Sequence, residues 1–361
     1  SKVMKLKRIW IVIITFSLLL ITMIIFGISI YNYKLSPVDK KNKTDVVITI
    51  KKGTSTQHII KSLQKADLIR SEGAVLVYLK LNKVGGLQAS SYKLNRSMSS
   101  KEIIKIINSG KGFNPDEVAI TFKEGKNMRS IAKVISEKTN NKYDAVISKA
   151  NDKDYINRLA TKYWFIDKDV QKDGTFYKLE GYLYPNTYVF KNKNVTIEDI
   201  FNKMLIETDK VLSKYKTEIE KSKLSTQQII TLSSIVELEG LSDKDRPNIA
   251  SVFYNRLNKN MSLGSDVTAC YAQKIDDTTL CHNTANFNYK SDYNTRLVSK
   301  LGLPTGPICN PSESSIKAVL NAPKTDYLYF VADKDTNVYF FKTKDEFDKK
   351  IKELKQNGKW L

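Results

Sequence analysis

The first pattern along the chain is an unbroken apolar run. Between Arg8 and Lys34 stand 25 residues without a charge, IWIVIITFSLLLITMIIFGISIYNY, and a helix of that length exceeds the roughly 30 Å hydrocarbon core of a bilayer. It predicts one transmembrane helix over residues 9–31, with Trp10, Tyr31 and Tyr33 near the two interfaces. The basic stretch SKVMKLKR, residues 1–8, is expected to be a cytoplasmic tail, and everything after Lys34 to lie outside a single-pass cell-membrane anchor. A cleaved signal peptide is the rival reading. The run is longer than a usual signal core and no small-residue cleavage site follows it, which favours the anchor. Residues 32–44, ending in KLSPVDKKNKT, read as a solvated basic linker.

Beyond the linker, short strand-like runs alternate with helical periods. A β-rich run to Ile50 is followed by a turn at Gly53 and a helix carrying Ile59, Ile60 and Leu63 on one face. The pattern returns with Ile120, Phe122, Gly125 and Ile131 in corresponding places, a weak repeat of strand, turn and helix. Between the two copies lie another short strand and a helix capped near Ser99 and ended by Gly110. The expected divisions are a small α+β unit over 45–112, an intermediate α+β unit over 113–175 and a larger α+β domain over 176–361. Compact spacers and glycan-binding units both fit the first two, since neither an aromatic platform nor a polar cluster stands out.

The most informative stretch is LSTQQIITLSSIVELEGL. Ser225 and Gln228 form a capping-box pattern, and Ile229, Leu232 and Val236 recur on one helical face. Glu237 falls on one flank of that stripe, near Ile230, Ser233 and Ser234, and Glu239 on the other. Residues two apart on a helix diverge, so these carboxylates are not expected to straddle one bond as an acid and nucleophile pair. A carboxylate in an apolar helix loses hydration, so Glu237 is a candidate for an acid that works alone. A second helix follows, with Ser242 as its expected cap, acidic residues in its first turn, and Ile249, Val252, Phe253 and Leu257 as its buried face. Gly-Leu-Pro-Thr-Gly-Pro, residues 302–307, reads as a rigid loop that serves either to present backbone groups to a ligand or as plain punctuation.

Charge and composition narrow the chemistry. The net charge is +21, yet only eight of the 59 basic residues are arginine. Lysine-rich surfaces favour diffuse attraction to anionic lipid or wall polymer over the bidentate reading of nucleic acid. Two histidines, His58 and His282, and three cysteines leave little material for a Ser-His-Asp centre or a histidine-rich metal site. A zinc site built from Cys270, Cys281, His282 and Cys309 is disfavoured because adjacent Cys281 and His282 cannot easily bind one ion. Cys270 and Cys281 can instead close a short loop as a disulfide. No metal or other cofactor is expected.

The ordered series LEGYLYPNTY, SIVELEG, DRPNIASVFYNRL, LGSD, YNT, GLPTGPICNP and KTDYLYFVAD closely resembles the endolytic murein transglycosylase family, MltG or YceG-like. The N-terminal anchor and the KKGTSTQHIIKSLQKADLI region, similar to that family's LysM-like subdomain, extend the match over most of the chain outside the linker. The resemblance implies an α+β protein with an N-terminal transmembrane helix, LysM-like subdomains and a C-terminal catalytic domain. It implies a lytic transglycosylase that cleaves between N-acetylmuramic acid and N-acetylglucosamine of nascent glycan strands without water, leaves anhydro-muramyl ends and limits strand elongation beside the wall synthases.

On the family's first glutamate of the IVE-x-E segment the resemblance places the essential acid at Glu237, which an apolar setting beside Ile230 and Val236 is expected to keep protonated. Asn255, Arg256, Asp266, Tyr293 and Asn294 match motif positions and are candidates to orient the sugar or its N-acetyl group, Arg256 equally a structural salt-bridge partner. Glu239 is expected either to hold a loop or arginine or to be solvated, and Glu180 and Tyr182 to line the cleft or to serve packing. Departures from the family pattern stand at Gly264 (commonly Gln), Val267 and Thr305 (commonly Pro), Arg296 (commonly aromatic) and residues 337–340, where Asn337, Val338, Tyr339 and Phe340 replace a Gly-His-x-Phe. A catalytically idle, membrane-anchored wall-binding scaffold is the alternative reading.

Overall fold

A computed structural model describes residues 2–361, which divide into two compact units meeting between Asp116 and Glu117. In the first, the apolar run forms one helix, Lys2–Leu35, long and apolar enough to cross a membrane, with its apolar window fully exposed. Two antiparallel strands follow, β1 (Val46–Ile50) and β2 (Ser90–Leu94), with Ile48 opposite Tyr92. Helices Thr56–Lys65 and Glu72–Leu81 lie between them in the chain, each started by a serine, Ser55 and Ser71, whose hydroxyl accepts a first-turn N–H. Ile59, Ile60 and Leu63 enter the core with Val75 and Leu94. Helix Ser100–Ser109 adds Ile103, Ile104 and Ile107; it starts with a capping box between Ser99 and Glu102 and ends on left-handed Gly110, φ 68°.

The stretch expected to be a solvated linker is instead tied to this unit at its start. Leu35 is buried in the core. The Arg70 guanidinium donates to the carbonyls of Pro37 and Val38 and to the Tyr33 hydroxyl, and it lies 4.6 Å from the centre of the Tyr33 ring. The Asp39 N–H donates to the Arg96 carbonyl. A polar, lysine-rich composition reads as linker, but these contacts use backbone carbonyls, which leave no mark in side-chain patterning.

In the second unit β3 (Val118–Thr121) pairs antiparallel with β4 (Thr187–Phe190), Ile120 opposite Tyr188. Helix Met128–Lys138 follows a turn at Gly125, φ 72°, as the helix Thr56–Lys65 follows Gly53, φ 87°. The repeat is therefore visible in the backbone. Residues 117–175 do not form a core of their own: Ile120, Phe122, Ile131 and Phe165 belong to one core with Phe201, Ile230 and Phe253. A third pair, β5 (Tyr329–Ala332) and β6 (Val338–Phe341), carries helix Lys344–Gln356.

Helix Thr226–Glu239 runs through the middle of this unit, packed against helices Arg246–Asn258 and Glu313–Leu320. The Ser225 and Gln228 capping box is present. The single apolar stripe read from its spacing understates its burial, for Ile230, Ser233, Ser234 and Ile235 are as buried as Ile229, Leu232 and Val236. A helix covered on every side has no polar face to define a stripe. Ser233 and Ser234 spend their hydroxyls on the helix's own carbonyls at Ile229 and Thr231. The following helix starts at Asp245 rather than Ser242; the Ser242 hydroxyl donates to the Asp245 carboxylate, and the acidic residues Asp243 and Asp245 precede the first turn.

Candidate active site

Glu237 sits in the last turn of the central helix with its side chain only 5% exposed. Oε2 accepts from the Ser312 N–H at 3.0 Å, the Ser312 hydroxyl at 2.6 Å and the Ser315 hydroxyl. Oε1 faces the Arg246 guanidinium at 3.3 Å. The apolar setting expected beside Ile230 and Val236 is corrected here: the carboxyl group is held by polar partners, Ser312, Ser315 and Arg246, rather than by the helix's apolar neighbours. Ser312 and Ser315 serve twice, since Ser312 also caps helix Glu313–Leu320 by accepting the Ser315 N–H. Arg246 reaches Glu237 across Gly240, where an added Cβ would lie 2.6 Å from the arginine Cγ. It also donates to Asp243 at 2.7 Å, which fixes the other side of the fork.

A turn from the start of this unit closes the near side. The Gly125 N–H donates to the Asn310 carbonyl, and the Asn310 N–H returns to the Lys126 carbonyl. A Cβ on Gly125 would come within 3.4 Å of Leu238 and 3.5 Å of the Glu237 Cγ, so the backbone rests directly on the carboxylate-bearing turn. Gly125 and Leu238 both line a cleft of about 630 Å³ whose other walls include Lys126, Arg129, Asp266 and Tyr271. Glu237 itself lies just behind that lining.

The remaining sequence candidates are mostly held by the protein itself. Glu180, expected at the cleft, is 1% exposed and accepts from the Met128 N–H, the Tyr271 hydroxyl and the Asn310 amide. Burial pushes its carboxyl up to about 7 against those donors. Tyr182 is fully buried and donates to Gln227. Asn255 donates to the carbonyls of Thr325 and Tyr327, and Arg256 to those of Ser262, Leu263 and Leu328. Asn294 donates to the carbonyls of Phe287 and Tyr289, and the Tyr293 hydroxyl accepts from the Phe176 N–H. These are side chains that fasten loops. Glu239 diverges from Glu237, as its spacing implies, and accepts from Ser265; burial raises its carboxyl to about 6. Only Asp266 of this group lines the cleft, paired with Arg296 at 2.8 Å.

Three departures from the family pattern have local reasons. Arg296 supplies the partner of Asp266, the Thr305 N–H donates to the Asp292 carbonyl, a bond proline lacks, and Asn337 donates to Asp333 in the turn before β6. Cys270 and Cys281 form a disulfide, Cα atoms 5.7 Å apart, in the cleft wall. Among the described residues no group of histidine, cysteine and carboxylate side chains is placed to hold a metal. Sequence reasoning missed Arg246, Ser312 and Ser315; Arg246 stands in the DRPN segment of a recognised motif, whereas the serines stand in no pattern that marks them.

This arrangement can be compared with known proteins. Residues 48–353 match the model of the YceG-like family. The chain belongs to the YceG-like family. It is 38% identical over 330 residues to the endolytic murein transglycosylase of Bacillus subtilis, covering 91% of this chain and 90% of that one. It is 33% identical over 342 residues to the endolytic murein transglycosylase of Streptococcus pneumoniae, where 91% of this chain covers 62% of the relative. A crystal structure of a YceG-like protein from Listeria monocytogenes superposes with a TM-score of 0.60 at 34% identity, covering 85% of this chain and 99% of that chain. The family and the fold neighbour agree with the mixed helix and strand architecture found here.

Proposed function

We propose that this YceG-like protein is a membrane-anchored endolytic lytic transglycosylase of peptidoglycan, with Glu237 as its essential carboxylate. The observation that carries the reading is Glu237 itself: a nearly buried carboxylate, held by Arg246 and two serines just behind the lining of a cleft, in a chain 38% identical to a relative named as an endolytic murein transglycosylase. In the proposed reaction the C6 hydroxyl of the muramyl sugar attacks its own anomeric carbon. The nucleophile belongs to the substrate, so no second protein nucleophile is needed and effective molarity is high. Glu237 gives a proton to the departing N-acetylglucosamine oxygen as its bond to C1 breaks and then, as a carboxylate, takes the proton of the C6 hydroxyl as the ring closes, so the strand ends in anhydro-muramic acid.

The helix Lys2–Leu35 supports single-pass anchoring, and Lys2, Lys5, Lys7 and Arg8 in its first two turns support an extracytoplasmic position for the rest. A disulfide between Cys270 and Cys281 suits the same side of the membrane. The β-α-α-β order of the first unit supports a LysM-like, glycan-contacting role for residues 45–112. In this reading the substrate is the nascent strand and the neighbours are the wall synthases. The test is mass spectrometry of products from purified glycan strands. Anhydro-muramyl ends are expected from the full chain and none from Glu237→Gln of unchanged circular dichroism; reducing ends would make it a hydrolase, and binding without cleavage would make it a scaffold.

A further inference from the structure

The point where the apolar helix first touches the first unit fixes the level of the bilayer surface on that unit. Counting back from Tyr31 at about 1.5 Å per residue, a hydrocarbon core of about 30 Å ends near Trp10, so these two aromatic residues mark its faces. From Val3 to Ile30 every side chain of the helix is exposed; Tyr31 is the first to pack against the unit's core, and Leu35 is buried in it. Folded protein therefore begins at the bilayer face. Helix Glu72–Leu81 packs against this end of the apolar helix. Its start, Ser71 to Gly73, borders one hollow with Tyr33 and Lys34, while Tyr78 interacts electrostatically with Tyr31. From Lys34 to Tyr31 the apolar helix runs toward the hydrocarbon, so from Gly73 to Tyr78 the packed helix does too, and Leu81 lies beyond Tyr78.

We infer that the last turn of helix Glu72–Leu81 enters the outer leaflet, with Val77 and Leu81 among the acyl chains and Lys80 and Lys83 on anionic headgroups. This rests on the reading of Lys2–Leu35 as a single-pass anchor. Val77 is 47% exposed and Leu81 70%, four residues apart on one side of the helix, while Ala74, Val75 and Leu79 fill the core on the other. Residues 73–101 hold five basic residues and no acidic one. Arg96 pairs with Asp67, Lys93 lies over the Phe113 ring and Lys101 over that of Tyr78. Lys80 and Lys83 are exposed and have no ion-pair partner among the described residues. The flanking Glu102 is spent in the capping box with Ser99.

An exposed leucine is ordinary on a protein surface, and position singles this one out. It stands beside the anchor at the level where hydrocarbon begins, so lipid is already there to cover it. Lysine stems bury their methylenes and still carry the ammonium out to the headgroups, and each such charge is worth roughly a five-fold preference for anionic over neutral lipid. Arg70 binds the carbonyls of Pro37 and Val38, so the unit is also fastened to the end of the anchor. It then meets the membrane at two places, the anchor and this helix end, and two attachments set its tilt over the surface where one would leave it free to swing.

The test places a spin label on Val77→Cys, Leu81→Cys or Ile24→Cys of the full chain, one chain to each bilayer disc of phosphatidylglycerol. Cys309 is buried and Cys270 is bonded to Cys281, so only the introduced thiol takes the label. Power saturation then compares collisions with oxygen, which concentrates in lipid, against a nickel chelate, which stays in water. Oxygen is expected to exceed nickel at Val77→Cys and Leu81→Cys, and Lys80→Gln with Lys83→Gln, or discs of phosphatidylcholine, should shift both labels toward nickel. Nickel exceeding oxygen at Leu81→Cys while Ile24→Cys stays in lipid would overturn the inference and leave the anchor standing. Nickel exclusion that appears only in discs holding two chains would give this face to a second copy and overturn it too. Labels insensitive to both the lysine substitutions and the lipid would overturn the headgroup contact. Ile24→Cys open to nickel would remove the anchor reading, and this inference with it.

Discussion

Ser312 binds Glu237 twice through one oxygen, its N–H at 3.0 Å and its hydroxyl at 2.6 Å from Oε2, while the same hydroxyl caps the helix that carries Ser315. The two serines are therefore separable. Hydrogen bonds to a charged group contribute about 1.5–3 kcal/mol each, so losing one corresponds to roughly a 10- to 100-fold fall in activity if Glu237 is displaced. Ser315→Ala is expected to lower kcat in that range with little change in stability. Ser312→Ala is expected to lower kcat similarly and to cost about 1 kcal/mol of stability as well, because the cap is lost. Denaturant melts and steady-state kinetics on glycan strands check this; a kcat unchanged in both variants would show that the serines do not position the carboxylate.

The buried carboxyl of Glu180 makes stability depend on pH. Its folded value is raised to about 7, above the ordinary glutamate range near 4.3, so between those values the folded state holds a proton that the unfolded chain releases. Stability contributed at this site is fully present at low pH and is lost as pH rises through 7. The expected loss is on the order of 2–3 kcal/mol between pH 4.5 and 7.5. Glu180→Gln can still accept from Met128 through its carbonyl, and its amide can donate to Tyr271, so it should fold without that slope. Urea titrations of both proteins across the range measure the difference; parallel pH profiles would show that the carboxyl is not raised by burial.

Much of the fold was legible where a local rule acts by itself. The Ser99 and Ser225 caps, the Gly110 stop and the paired Gly53 and Gly125 turns depend on a few adjacent residues and are present. The central helix was misjudged as one-sided because periodicity needs a solvent face, and this helix has none. The site was harder to see. Glu237 stood out as a carboxylate among apolar residues, but its partners come from two other segments, and small serines such as Ser312 and Ser315 look like any loop. The reverse ambiguity affects Asn255, Arg256, Tyr293 and Asn294, which a motif marks as special without saying whether their polar atoms meet a ligand or a backbone. Here they meet backbone. The 302–307 loop is likewise interior packing: Pro307 would lie 2.6 Å from a Cβ on Gly181, and Gly306 has Thr175 at 2.7 Å from its own Cβ position.

The disulfide bears on the cleft wall through Asp276. That residue lies between Cys270 and Cys281, and it accepts from Arg129 at 2.7 Å and from Asn127, the cap of helix Met128–Lys138. Closing a loop of this size contributes about 2–3 kcal/mol in the chain-entropy account. The double variant Cys270→Ser, Cys281→Ser should lose about that much stability and raise KM for glycan strands several-fold, with kcat less affected because Glu237 and its donors lie outside the loop. Kinetics and melts of oxidised, reduced and substituted protein check it. A fall in kcat with KM unchanged would place the effect on the chemistry instead.

Arg70 donates to the carbonyls of Pro37 and Val38 and stacks on Tyr33, while Leu35 is buried in the core of the first unit. The helix end and that unit are thus one piece, and a rotation between them has to break these contacts. Truncating Arg70 to alanine removes both the charged donors and the stacking, for which about 1–3 kcal/mol of local stability is expected. The backbone N–H groups of residues 36–42 should then exchange with solvent at least ten-fold faster, while exchange in the second unit stays unchanged. Lys at this position keeps the charge but not the planar fork, so Arg70→Lys should recover only part of the protection. Hydrogen exchange read by mass spectrometry on the full chain in a bilayer disc measures each variant. Protection of residues 36–42 that survives in Arg70→Ala would show that Leu35 and Asp39 alone hold the junction.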